Sequence, residues 1–75
     1  MSARVRAAIL DLALARGREK SLCPSEVAKA LDPDWRAMMD EVRAVAATMP
    51  EIVATQGGVE VDPLAAHGPI RLRLR

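Results

Sequence analysis

Up to Met49 the apolar residues of this chain recur every three or four positions, and beyond Pro50 they follow the pattern of extended strands. That single change of period is the strongest constraint on the fold. It demands helices first and a sheet afterwards, within 75 residues. Such a length suits one domain, residues 1–75, with no room for a second.

The helical part divides in three. Ser2 can cap a first helix over about residues 2–16, with Gly17 as its stop. Val5, Ala8, Ile9, Leu12 and Ala13 form its apolar stripe, which Leu10 and Leu14 widen. After the polar loop Gly17–Lys20, Ser21-Leu22 leaves room for one short extended piece. Cys23-Pro24-Ser25-Glu26 opens a second helix, residues 24–31, because proline suits the first helical position and Glu26 can reach back to the cap. Asp32-Pro33 repeats the device for a third helix, residues 33–48. There Trp35, Met38, Met39, Val42, Val45, Ala46 and Met49 make the core stripe before Pro50 ends it.

Strands are expected over residues 52–56, 59–62 and 70–74. Gly57-Gly58 is a two-residue hairpin signal, and Ile70-Arg71-Leu72-Arg73-Leu74-Arg75 alternates strictly. Three helices followed by a small antiparallel sheet is the order of a winged helix-turn-helix, an α+β fold. A partly open three-helix bundle with an appended tail is the alternative. The hairpin and the closing alternation favour the winged helix.

Composition narrows the function. Aromatic residues amount to 1%, Trp35 alone, so there is no stacking platform for single strands. Trp35 is expected to be the hub of the core. So short a chain forms only a shallow cleft, which argues against an enzyme. Cys23 and His67 are the only cysteine and histidine, too few for a metal centre, and no motif calls for a cofactor. Cys23 is read as a small structural residue. Its unpaired thiol fits a reducing, cytoplasmic setting. Asp11, Arg16 and Arg18 interrupt the apolar N-terminal run, which makes it an amphipathic helix rather than a secretion signal or a membrane anchor.

Several segments carry a resemblance: Cys23-Pro24-Ser25-Glu26-Val27-Ala28, Trp35-Arg36 with Met39, Val42-Arg43, Thr55-Gln56-Gly57, Val61-Asp62-Pro63 and Gly68-Pro69-Ile70-Arg71. In order and spacing the chain resembles an uncharacterised bacterial family catalogued as domain of unknown function 3253. The resemblance covers nearly the whole chain and implies a winged-helix domain without an established activity. A DNA-binding role for such a family rests on fold analogy, so function must be argued from the site.

Four arginines are the candidate nucleic-acid contacts. On the third helix, Arg36 can read a guanine and Arg43 can hold a phosphate. Spacing equally allows Arg36–Asp40 and Asp40–Arg43 to pair with one another. On the last strand, Arg71 and Arg73 stand on one face with Arg75, about 6.6 Å apart. They can grip a phosphate backbone or an acidic partner, or simply keep an edge strand soluble. The net charge of +1 hides a strong pattern: residues 1–31 carry +3, residues 32–69 carry −5, and residues 70–75 carry +3. The presumed reading helix lies in the acidic part, so phosphate attraction favours the sheet side. The leading expectation is a non-enzymatic module that binds duplex DNA within a regulator or larger assembly. The competing one is a protein-interaction module that uses the acidic third-helix face or the arginine strand, docking a protein partner or a second copy.

Overall fold

The computed structural model describes residues 2–75. Helix α1 spans Ala3–Arg16, α2 spans Pro24–Leu31, and α3 spans Met39–Ala46. A 3₁₀ turn, Trp35–Met38, leads directly into α3. Strands β1 (Ile52–Gln56), β2 (Val59–Glu60) and β3 (Arg71–Leu74) follow. Three helices and a three-stranded antiparallel sheet form an α+β, winged-helix-like arrangement.

Local chemistry explains the boundaries. The Ser2 hydroxyl accepts from Val5 N–H at 3.1 Å, which satisfies an orphan donor at the start of α1. Gly17, at φ 81°, ends α1 and returns its N–H to Ala13 C=O. Pro24 stands at the start of α2, and the Glu26 carboxylate accepts from Cys23 N–H at 2.8 Å.

The third helix differs from expectation at its start. Asp32 precedes a proline and is held extended at φ −154°, ψ 137°, which ends α2. Its carboxylate then accepts from Asp34 N–H at 2.8 Å, an Asx turn, so Asp32-Pro33 makes a bend rather than launching a helix from Pro33. The helix starts at Trp35, with a tight first turn, and its α part stops at Ala46. This offset also corrects the role of Trp35. The residue is only partly buried, packed against the rim of the core, and no residue of the 3₁₀ turn is fully buried.

The centre is aliphatic instead. Ile9, Leu22, Ile70 and Leu72 are its largest inaccessible side chains, joined by Val5, Val27, Val42 and Val45. Each such side chain contributes about 1.5–3 kcal/mol by leaving water. Ile52 and Ala54 of β1, opposite Leu74 and Leu72 of β3, close this core from the sheet side. The extended piece at Ser21-Leu22 is present too. Leu22 and Leu72 exchange both backbone hydrogen bonds at 2.8 Å, placing β3 between Leu22 and β1.

The sheet order is β2-β1-β3, so the chain must cross from one side of β1 to the other after β2. Gly57 and Gly58, at φ 59° and 82°, make the tight turn into β2, a conformation that a side chain would strain. Beyond Glu60 the strand is abandoned two residues sooner than its sequence suggests, and residues 61–70 form the crossing segment.

Candidate nucleic-acid interface

The four arginines singled out by sequence do not share one environment. Arg36 is exposed on the 3₁₀ turn, with its guanidinium carbon 4.3 Å from the centroid of the Trp35 ring. Lys29 of α2 brings its Nζ to 4.7 Å from the same ring. Two cations therefore gather on the single indole, drawn by its negative face. Neither expected pairing on this helix forms: among the described residues, no ion pair joins Arg36 or Arg43 to Asp40. Asp34, Asp40 and Glu41 stay exposed beside Arg36, so the face that would enter a groove is predominantly acidic.

Arg43 is placed differently from its expected outward position. It is partly buried, and its guanidinium donates to backbone carbonyls of the crossing segment. Nη1 reaches Ala66 O at 2.9 Å and Pro63 O at 3.5 Å, while Nη2 reaches Gly68 O at 2.7 Å. Gln56 works from the other side, its amide donating to His67 O at 2.6 Å and Pro69 O at 3.2 Å. Between them, two side chains hold five carbonyls that the irregular backbone leaves unpaired. Sequence reading missed Gln56. Its position at the end of a strand, just before a glycine turn, was the available signal.

Arg71 and Arg73 lie where the alternation places them. Register pairs them with Thr55 and Val53, on the sheet face opposite the core. Arg71 is exposed and anchored, its Nε donating to Ser21 Oγ and its Nη2 to Ser21 O, both at 2.9 Å. Arg73 is partly buried and donates to Leu74 O at 3.1 Å. Val53 sits opposite Arg73 outside the core cluster, yet it is 3% exposed. The long side chains of β3 that share its face are those of Arg71 and Arg73, whose alkyl stems are suited to cover it. Arg75 is neutralised by Glu60 at 3.1 Å. Among the described residues, Arg71 and Arg73 form no ion pair with a carboxylate.

One strongly titrating group borders this face. Glu26 takes a hydrogen bond from Arg16 at 2.5 Å and another from the Cys23 backbone, which pull its pKa down to about 2. Arg71 adds to that pull through space. Glu26 is therefore fully ionised near neutrality and offsets Arg16, leaving Arg71 and Arg73 as net charge on the sheet. Ser25 Oγ donates to Cys23 Sγ at 3.1 Å, which fits a partly buried structural thiol. Among the described residues no cluster of three or more histidine, cysteine or carboxylate ligands could hold a metal, and no helix is long and apolar enough to cross a membrane.

Three helices, a short β piece at Leu22 and a hairpin-bearing sheet with a charged outer face together make an α+β domain of winged-helix-like arrangement. The sequence model of the family described as Protein of unknown function (DUF3253) matches residues 2–75, and the chain belongs to that family. No curated protein matches it.

Proposed function

We propose that this domain is a nucleic-acid-binding module that docks duplex DNA through the outer face of its sheet. The observation that carries this reading is the pair Arg71 and Arg73, aligned on one face without carboxylate partners, while the third-helix surface is acidic. Arg71 and Arg73 hold phosphates, and exposed Lys20, next to the Ser21 that anchors Arg71, extends the positive surface. Arg36, stacked on Trp35, belongs to the acidic third-helix surface and not to this docking face. Arg43 contributes indirectly, by fixing the crossing segment of the wing. The role is binding rather than catalysis, within a regulator or larger assembly.

Titration of random duplex DNA at two salt concentrations tests the reading. Three phosphate contacts give a slope of about −2.7 in log K against log salt, or about a 40-fold loss between about 50 and 200 mM. Arg71→Glu with Arg73→Glu should weaken binding to all sequences alike, whereas Arg36→Ala, off the docking face, should leave it unchanged. Absence of binding at low salt sinks the proposal. A second reading then takes over, in which exposed Asp34, Asp40 and Glu41, unpaired among the described residues, dock a basic protein surface.

A further inference from the structure

Helix α1 carries apolar residues on both of its sides. Ten of its 14 residues are apolar. Val5, Ile9 and Ala13 form the inner stripe, each at most 1% exposed. Ala3, Ala7, Leu10 and Leu14 recur at spacings of four, three and four, a second stripe on the outside. Two apolar stripes suit a helix covered on both sides, yet the rest of this domain leaves Ala3, Ala7 and Leu14 exposed and Leu10 only partly covered.

The outer stripe ends in a groove. Leu10 and Leu14 of α1 and Pro50 and Leu74 line an open depression of about 660 Å³, rimmed by Arg18, Glu51 and Arg75. Leu14 is 60% exposed, one of three large apolar side chains so displayed among the described residues.

We propose that this face is the two-fold interface of a homodimer in which α1 packs antiparallel against α1 of a second copy. Charge placement selects that occupant. Asp11 lies three residues before Leu14 and Arg18 four after it, both are exposed, and neither forms an ion pair among the described residues. Arg18 shares the groove with Leu10 and Leu14 although the helix has stopped at Gly17. With a two-fold axis at Leu14, the two Leu14 side chains meet. Each Asp11 then faces the partner's Arg18, so the surface is complementary to itself. A parallel arrangement would set Asp11 against Asp11 and forfeit both pairs. The inference does not depend on the nucleic-acid reading, since neither Arg71 nor Arg73 lines this groove.

Sedimentation velocity on the full chain, from micromolar to millimolar protein, tests it. The protein should shift from monomer to dimer across that range. Leu14→Glu, at an exposed site and checked for folding by far-ultraviolet circular dichroism, should abolish the dimer. Asp11→Arg should weaken dimerisation at least about tenfold, and Asp11→Arg combined with Arg18→Asp should restore it. A chain that stays monomeric at millimolar concentration overturns the proposal. So does a dimer indifferent to Leu14→Glu, or a double variant no better than the single one.

Discussion

Replacing Arg43 by methionine keeps an unbranched stem and removes every donor that Arg43 lends to the crossing segment. Two of its bonds are short, to Gly68 O at 2.7 Å and Ala66 O at 2.9 Å, and the third, at 3.5 Å, is marginal. A hydrogen bond from a charged donor contributes about 1.5–3 kcal/mol when buried, and partial exposure brings the two good ones to about 2–3 kcal/mol together. In a domain this small about 1 kcal/mol moves Tm by about 4–8 °C, so Arg43→Met should melt about 10–20 °C lower. Thermal denaturation followed at 222 nm reads the shift, and hydrogen exchange should show the amides of residues 64–68 opening first. Arg43→Lys, with a compact charge in place of a planar fork, should recover only part of the loss. A fall of less than about 3 °C for Arg43→Met would refute the claim that this residue holds the wing.

Other consequences concern the core, the turn and the pH response. Leu72→Ala, at a fully buried site whose backbone pairs with Leu22, should cost about 2–5 kcal/mol in chemical denaturation. Trp35→Ala should cost less, about 1.5–3 kcal/mol, because the indole sits at the rim; a larger loss than at Leu72 would show that Trp35 is central after all. Gly58→Ala, at φ 82° with open space around the site, should cost about 1 kcal/mol through backbone strain alone. The Glu26 carboxylate has its pKa lowered in the fold, so the stability it adds is present above about pH 4.5 and is lost as pH falls toward 2. The pair is partly exposed, which holds that contribution to about 1 kcal/mol or less. Glu26→Gln should flatten the stability profile in that window, and an unchanged acid limb would disprove the assignment.

The helix-then-sheet order, the cap at Ser2, the proline start of α2 at Pro24, the glycine turn and the inward set Ile70, Leu72 and Leu74 were all legible in the chain, because each depends on neighbours a few residues away. Local spacing also identified Arg71 and Arg73 as outward-facing, since alternation alone sets the face of a strand. The extended piece at Ser21-Leu22 could be read as well, though not its partner. Its pairing with Leu72 spans 50 residues and exists only once α2 has turned the chain.

Tertiary structure decided the rest. Trp35 looked central because it was the only aromatic, yet an Asx turn at Asp32 and a 3₁₀ first turn rotated it to the rim, where Lys29 and Arg36 cover it. Arg43 looked like a solvent-facing charge on an acidic helix. Its actual partners are carbonyls 20 to 25 residues away, in a segment whose path no local pattern encodes. The sequence by itself determined the order of helices and strands and the inward or outward face of the closing strand, because those properties follow from periodicity and local sterics. Which arginines remain free to meet a partner was decided by the folded chain alone, because a guanidinium is claimed by whatever acceptors the tertiary contacts bring within about 3 Å.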